Sequence, residues 1–251
     1  MSSKIRQDQI LEILEKQGFV TVKYLSDTLH YSTATINRDL NFLQKRQLVS
    51  RTHGGVEAVR SSYVPILFRT QKMRWEKRSI GKLAASFVKD GDTIFIDGST
   101  TAQCMEEYLI NRKKLTVVTN NILLAVNLSK YSDIRVISLG GEIVEQPCML
   151  CGRQTVENAA QYRVDKMFFS TSAVSGDGQI ASGIYDLMLR AIAKNACEVF
   201  YLVDHKKIDQ PFSDIYGDFS SIDRVISDYA FSADTRSLFP KTDFVTVEKG
   251  E

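Results

Sequence analysis

The sequence predicts an α/β protein of two parts, with a small helical domain at the amino end and a larger domain built on a mostly parallel sheet. Apolar residues repeat at helical spacing between Leu25 and Leu43, and short apolar segments alternate with helical ones after Glu76. Residues 1–80 hold 14 Lys and Arg against 7 Asp and Glu, a net charge of +7, so the remainder carries −5 of the total of +2. This asymmetry is expected when only one end of a protein meets a polyanion.

Two short helices separated by a turn are predicted in the amino-terminal part. The first covers about 22–29, and the second begins after Ser32, whose hydroxyl is a natural N-cap for a free backbone N–H. The apolar residues that bury one side of this pair are Leu25, Leu29, Ile36, Leu40 and Leu43.

The opposite side of the second helix carries short polar and cationic groups suited to base edges and phosphates. Residues 48–51 and 55–59 follow as two short strands around His53, which form a wing. A helix fits the major groove, and flanking phosphate contacts set its register. A three-helix core without a nucleic-acid role is the alternative, but cap, polar face and wing together favour DNA. The predicted DNA contacts are Ser32, Thr33, Thr35, Asn37, Arg38, Arg51 and His53.

This segment resembles the DeoR family of bacterial transcriptional regulators. The resemblance is carried by residues 18–22, 32–40 and 48–55, and it continues through most of the chain to about Asp228. The family usually has two consecutive arginines in the recognition helix, where this chain has Asn37 and then Arg38. Asn pairs well with adenine, whereas Arg prefers guanine or phosphate, so the operator cannot be inferred from relatives.

Composition indicates a soluble cytoplasmic protein with no metal and no cofactor. No apolar run is long enough to span a bilayer, and the first residues, MSSKIRQDQ, are not a signal peptide. Cys148 and Cys151 have CxxC spacing, but a second pair of ligands is lacking and the three histidines are scattered, which favours ordinary thiols. We expect a DNA-binding domain over 1–58, a linker over 59–75 whose basic run from Lys72 is solvated, and a second domain over 76–251.

Helices and strands alternate in the second domain. Helices are expected at about 76–89, 101–111, 122–130, 153–162 and 186–197. Apolar strands are expected at 93–97, 115–118, 134–139, 166–170, 199–203 and 224–227. This alternation predicts a parallel sheet covered on both faces, and ligands bind such sheets beyond the carboxyl ends of the strands.

Small and polar residues follow four of these strands. The loop 97–101 leaves a strand and opens a helix, so its hydroxyls and free N–H groups suit a phosphate, and Lys207 adds a cation near the same rim. Four polar strand ends in one sheet favour a phosphorylated ligand over simple helix capping. The predicted effector contacts are Asp97, Gly98, Ser99, Thr100, Thr101, Thr119, Asn120, Gly140, Gly141 and Lys207.

The same positions carry the second half of the DeoR resemblance. It implies a domain similar to sugar-phosphate isomerases of the ribose-5-phosphate isomerase type, which senses a sugar phosphate or a related metabolite. The chain departs from the family at residues 169–174, where relatives usually have glycines and this sequence has bulkier residues that narrow the wall. Asp186 stands where the family has an acidic residue at a helix start.

Two classes of function remain open at this point. The first is a DNA-binding regulator, a repressor of sugar-metabolism genes controlled by a phosphorylated sugar. It would act as a homo-oligomer, dimer or tetramer, because one winged head contacts few base pairs. The second is a sugar-phosphate isomerase with an accessory helix-turn-helix domain, in which Asp97 would be the base and Lys207 the electrophile. No compact acid–base cluster is visible in the sequence, so we favour regulation and expect no enzymatic activity.

Overall fold

The computed structural model describes residues 3–45, 48–52, 55–58, 73–144, 149–183 and 186–247. The chain divides into two compact units, Met1–Pro65 and Ile66–Glu251. Most of the expected linker lies outside the described residues. No helix in the described part of the chain is both long and apolar enough to cross a membrane.

The first unit combines helices with a small antiparallel sheet. In chain order its elements are α1 (Ser3–Gln17), β1 (Phe19–Val20), α2 (Val22–Leu29), α3 (Thr33–Lys45), β2 (Val49–Thr52) and β3 (Gly55–Ala58). β3 lies between β1 and β2. The predicted helix-turn-helix and wing are confirmed, and α1 and β1 are additions to it.

Local sequence explains how the two central helices begin and end. Thr21 caps α2 by accepting the N–H of Tyr24, and His30 ends this helix in the left-handed conformation with φ 57°. Leu25, Ile36 and Leu40 are fully buried, as their spacing predicts. The helix-turn-helix is therefore held by apolar burial and by polar caps at its turns.

The second unit is built on strands β4 to β14. In chain order they are Thr93–Ile96, Leu115–Thr119, Ile134–Ser138, Glu142–Val144, Met149–Cys151, Val164–Phe169, Gln179–Ala181, Ala196–Val203, Ile215–Asp218, Arg224–Ser227 and Asp243–Thr246. Seven of them form one sheet in the order β6-β5-β4-β9-β11-β13-β14, and every pairing within it is parallel. β7 with β8, and β10 with β12, form two small antiparallel ribbons. The predicted parallel sheet is confirmed, while β14 and the ribbons were not predicted.

The helices of this unit cover both faces of the sheet. They are α4 (Arg74–Ser86), α5 (Thr100–Gln103), α6 (Glu106–Leu109), α7 (Ile122–Leu128), α8 (Arg153–Ala159), α9 (Asp186–Ala193) and α10 (Ala233–Leu238), with 3₁₀ turns at His205–Lys207 and Phe219–Ser221. The single helix predicted at 101–111 is wrong, because α5 and α6 replace it. Cys104 N–H bonds to Thr101 O and Met105 N–H to Ala102 O, and these i to i+3 bonds interrupt the α-helix.

The central strands are buried on both faces. In β4, Phe95 packs into one apolar cluster, and Ile94 and Ile96 pack into the cluster on the opposite face. In β9, Phe169 and Phe168 divide in the same way. Alternate residues of a strand point to opposite faces, so apolar runs of this kind are typical of a sheet with helices on both sides.

The direction of strand addition reverses between β4 and β9. From β4 the chain adds β5 and then β6 on one side, and from β9 it adds β11, β13 and β14 on the other. The loops that follow β4 and β9 therefore lie at the strand reversal of the carboxyl edge, which is where parallel α/β sheets bind ligands.

Candidate functional site

The exposed face of α3 carries part of the polar set predicted for DNA. Ser32 caps the helix, since its Oγ accepts the Thr35 N–H at 3.2 Å. Ser32, Thr33 and Arg38 are exposed, while Thr35 is half-buried. Among these residues, Thr33 and Arg38 therefore have the most freedom to meet a groove.

The side chain of Arg51 links the wing to the recognition helix. Its Nη1 donates to Asn41 Oδ1 at 2.8 Å, and its Nη2 donates to Asn37 Oδ1. Asn37 in turn donates from Nδ2 to Thr33 O at 2.9 Å. Both ends of the Asn37 amide thus make one hydrogen bond within the unit, and these bonds fix its orientation, while one N–H and one lone pair remain for a base. His53 lies outside the described residues.

A buried carboxylate that the sequence pattern did not single out fixes α3 against α1. Asp39 is 3% exposed, accepts a hydrogen bond from Gln7 Nε2 at 2.9 Å and pairs with Arg6 Nε. The Arg6 guanidinium also lies 4.7 Å from the ring centroid of Tyr31, at the turn before α3. These contacts hold the recognition helix in one orientation against α1. Removing one partner of the buried pair would leave an uncompensated charge.

Lys207 brings together the loops that follow three neighbouring strands. Its Nζ lies 2.8 Å from Ser170 Oγ after β9 and 3.3 Å from Thr101 Oγ1 after β4. Asp204 Oδ2, at the end of β11, is 3.9 Å away. Ser170 belongs to the segment where the family usually has glycines, and its hydroxyl is one of the Lys207 contacts. The strand reversal therefore places an ammonium group beside two hydroxyls.

Asp97 begins the loop after β4 and is 6% exposed. Burial raises the pKa of this carboxyl to about 6. Hydrogen bonds from the Ser99 side chain and from the backbone N–H groups of Ser99 and Ser170 lower its pKa, as does the charge of Lys207, but desolvation dominates. The group is thus a buried acid that titrates close to neutral pH.

Ser99 is used within the protein as a helix cap. Its Oγ accepts the Ala102 N–H at 3.1 Å and donates to Asp97 Oδ1 at 2.6 Å. The helix that it caps has four residues, so the dipole expected to favour a phosphate is weaker than that of a long helix. The attraction of this loop for an anion rests more on lysines than the sequence indicated.

A second lysine reaches the loop. Lys77 is 4% exposed, and its Nζ donates to Thr100 Oγ1 at 3.0 Å. The prediction of a solvated basic run is therefore wrong at Lys77. Sequence reasoning missed it because α4 packs against a loop that follows the next strand.

Thr119 at the end of β5 and Asn120 after it differ in the hydrogen-bonding atoms that they leave for a ligand. Thr119 Oγ1 donates to Ile96 O at 2.6 Å and accepts the Asn121 N–H at 3.0 Å, so its hydroxyl holds the backbone together. Asn120 donates from Nδ2 to Leu150 O, but its buried Oδ1 accepts no hydrogen bond from the described residues. Asn120 thus retains an acceptor for a hydroxyl donor.

Gly98 makes room for Met149 of β8. A Cβ at Gly98 would lie 1.5 Å from Met149 Sδ and 2.2 Å from its Cγ. Gly98 is one of the predicted effector contacts, but in this structure the Met149 thioether occupies the space beside it. Asn120 and Asn121 anchor the strand, through the Leu150 N–H bond to Asn120 O at 2.8 Å and a bridge from Asn121 to Met149.

Gly140 and Gly141 follow β6, two strands from β4 and therefore about 10 Å away at the usual strand spacing. Thr155 Oγ1 donates to Gly140 O at 2.7 Å, and a Cβ at Gly141 would lie 2.0 Å from the same Thr155 oxygen. These glycines let the chain pass close to α8. The structure does not bring them to Lys207.

The cysteines form no metal cluster with other ligands in the described part of the chain. Cys104, Cys151 and Cys197 are free thiols. Cys148 lies outside the described residues, so the CxxC pair is not described as a unit.

Two family models match the chain in order. Residues 6–62 match the DeoR-like helix-turn-helix domain, and residues 72–229 match the DeoR C terminal sensor domain. The chain belongs to the DeoR family. The unit that carries Lys207 and Asp97 is therefore a DeoR sensor domain, and the one that carries α3 is a DeoR-like helix-turn-helix domain.

Several relatives in this family are similar over nearly their whole length. The chain is 32% identical over 231 residues to the glycerol-3-phosphate regulon repressor of Escherichia coli, covering 91% of this chain and 92% of the relative. It is 32% identical to the HTH-type transcriptional repressor GlcR of Bacillus subtilis, with 87% and 86% covered. It is 34% identical to the lactose phosphotransferase system repressor of Lactococcus lactis, with 84% and 85% covered.

Solved structures that are similar include ribose 5-phosphate isomerase A of Methanocaldococcus jannaschii, with a TM-score of 0.40 and 20% identity over 54% of this chain and 55% of the other. The eIF2B delta subunit of Chaetomium thermophilum gives a TM-score of 0.44 and 15% identity over 79% and 63%.

Proposed function

We propose that this DeoR-family regulator is a DNA-binding transcriptional repressor whose sensor unit binds a phosphorylated sugar. The observation that carries the proposal is the position of Lys207 at the strand reversal, with its Nζ beside Thr101 Oγ1 and Ser170 Oγ. An ammonium and adjacent hydroxyls suit phosphate oxygens, and charge-assisted hydrogen bonds are the stronger ones.

Asn120 supports the sugar part of the proposal. Its buried Oδ1 accepts nothing from the described residues, so a sugar hydroxyl would satisfy it. The names of two relatives, a glycerol-3-phosphate regulon repressor and a lactose phosphotransferase system repressor, also fit control by phosphorylated carbohydrate. Met149 limits the space beside Gly98, so a ligand that uses the Gly98 backbone has to displace its thioether.

The DNA-binding side of the proposal assigns base or phosphate contacts to the exposed groups of α3. Arg38 and Thr33 are the primary contacts, and Arg51 holds Asn37 and Asn41 in place from the wing. Two or more heads on repeated half-sites give tight binding, so the regulator acts as a homo-oligomer. The sensor unit, from about residue 76, supplies its assembly surface.

A thermal-shift comparison of matched ligands tests the effector. Glycerol 3-phosphate, glucose 6-phosphate and ribose 5-phosphate are compared with glycerol, glucose and ribose on wild type and on Lys207→Met. At a hundred times its Kd a true ligand adds about 2.7 kcal/mol to the stability of the folded state. We expect a phosphorylated compound alone to stabilise the wild type, and the shift to weaken in Lys207→Met. Equal shifts with and without the phosphate contradict the proposal.

A second candidate function follows from Asp97. A buried carboxyl whose pKa is about 6, with Lys207 nearby, has the properties of a general base beside an electrophile, as sugar-phosphate isomerisation needs. Incubating the protein with ribose 5-phosphate or glucose 6-phosphate and following ketose formation separates the two functions. Turnover that is lost in Asp97→Asn supports the isomerase, and no turnover leaves regulation.

A further inference from the structure

Two lysines contact consecutive threonines of the loop that follows β4. Lys207, in the turn after β11, reaches Thr101 Oγ1 at 3.3 Å, and Lys77, on the first turn of α4, reaches Thr100 Oγ1 at 3.0 Å. Burying an ammonium is costly, and Lys77 is 4% exposed. The contact between Lys77 and this loop therefore affects the free energy of the folded state.

Helix α4 is fastened to the segment that continues from this loop. Arg78 donates from Nε and Nη2 to both carboxylate oxygens of Glu107, at 2.8 and 2.7 Å. A Cβ at Gly81 would lie 2.6 Å from the carbonyl carbon of Cys104, so the two backbones are in direct contact. Closely packed elements of this kind shift together rather than deform.

The start of α4 is also the first described element after the segment 59–72, which leads from the DNA-binding unit. The first turn is closed by the Lys77 N–H bond to Met73 O at 2.9 Å, and Met73 has φ 56° with no side-chain cap. A change in the Lys77 contact thus acts on the first turn of α4, the first described element of the sensor unit.

We propose that Lys77 is a positioning residue that couples anion binding at the 97–101 loop to the first turn of α4, and through it to the chain that leads to the DNA-binding unit. The inference rests on the proposed function. An anionic ligand beside Thr100 adds a charged acceptor to the contacts of Lys77, and the stronger contact favours a different position of the α4 start. The ligand shifts the protein only by this difference in affinity between the two positions.

The sequence contains a reporter at the required place. Trp75 is the only tryptophan of the chain, it lies two residues before Lys77, and it is 77% exposed. Its fluorescence therefore reports on the surroundings of the first turn of α4.

The test titrates inorganic phosphate into the full chain at constant ionic strength, set with sodium chloride, and records Trp75 emission and melting temperature together. The wild type should show a saturable change in Trp75 emission. Lys207→Met should need about tenfold or more phosphate but reach the wild-type amplitude at saturation. Lys77→Met should still be stabilised by phosphate and lose the Trp75 change, and Lys77→Arg should restore part of it.

Two further variants keep the result interpretable. Lys82→Met makes the same substitution at an exposed position of α4 and should match the wild type in both measurements. Lys77→Gln retains a donor for Thr100 without the charge, so it serves if Lys77→Met does not fold, and it should also lose the Trp75 change.

Three outcomes overturn the inference. One is a wild-type Trp75 amplitude in Lys77→Met or Lys77→Gln. Another is a silent Trp75 in wild-type protein that phosphate stabilises, which leaves the proposed function standing. A third is the absence of any stabilisation by phosphate, which removes the anion site at the loop, whereas the proposed function fails only if the phosphorylated sugars above also give no shift.

Discussion

Replacing Asp97 with asparagine should stabilise the sensor unit at neutral pH. Desolvation raises the pKa of this buried carboxyl from 3.8 to about 6, despite hydrogen bonds from Ser99 and Ser170 and the charge of Lys207. Because the pKa of the folded state lies above that of the unfolded state, the folded protein binds the proton more tightly. The resulting stability is fully present below about pH 4 and is lost as the pH rises through about 6.

The size of the effect follows from the same values. The step from 3.8 to about 6 corresponds to a cost of about 3 kcal/mol at pH 7, at roughly 1.4 kcal/mol for each unit. Asparagine removes the charge, and its Oδ1 still accepts the Ser99 hydroxyl. For a unit of this length we expect the melting temperature to rise by about 6–12 °C at pH 7.

Denaturant unfolding followed by far-UV circular dichroism measures the free energy of unfolding of both proteins at each pH from 4 to 8. The difference between Asp97→Asn and wild type should be close to zero at pH 4 and grow to about 3 kcal/mol at pH 7. Asp92→Asn is the control, because Asp92 pairs at 2.7 Å with the buried Lys166 and its loss should cost about 3–5 kcal/mol. A less stable Asp97→Asn at pH 7, or a difference that does not vary with pH, refutes the reasoning.

Two other predictions concern the DNA contacts and the glycine turn. Arg38→Ala should weaken DNA binding and reduce the slope of log affinity against log salt concentration by about one. Arg51→Ala should weaken DNA binding and also lower the melting temperature, because it releases Asn37. Binding isotherms at several salt concentrations, with melting curves in parallel, distinguish the two variants, and unchanged DNA affinity in both contradicts the proposed interface. Gly141→Ala should destabilise the sensor unit by about 1–3 kcal/mol because of its φ of 116°, and by about 1–3 kcal/mol more because the new Cβ is crowded. Gly183→Ala is the control, since the space around Gly183 is open, and it should change the denaturation midpoint little. Equal midpoints for the two variants exclude backbone strain at Gly141.

The parts of the fold that local sequence encodes were predictable. Helices α2 and α3 follow from apolar spacing and from the Ser32 cap, and β4, β5 and β9 follow from short apolar runs that need burial on both faces. The break between α5 and α6 was not predictable. It depends on a change in hydrogen-bond pattern at Cys104 and Met105, and neither glycine nor proline marks it.

The candidate site divides in the same way. Lys207, Asp97 and Thr101 were predicted because the carboxyl ends of parallel strands meet at one edge. Lys77 and Met149 were missed, because they reach the loop after β4 from elements that are distant in sequence or that no periodic pattern marks. Gly98 illustrates the limit of composition: a glycine at a strand end permits a close approach, but only the fold shows what approaches.

The central claim is that a phosphorylated sugar bound beside Lys207 controls DNA binding. Its most direct test uses a DNA site selected from random duplexes and the effector identified by thermal shift. The effector is titrated into a preformed complex of the full chain with this DNA, and the fluorescence anisotropy of the DNA reports its release. We expect the effector to release DNA from the wild type. Lys207→Met should bind DNA with equal affinity in the absence of effector, but its effector midpoint should rise about ten- to hundredfold. Release of DNA from Lys207→Met at the wild-type effector concentration would contradict it.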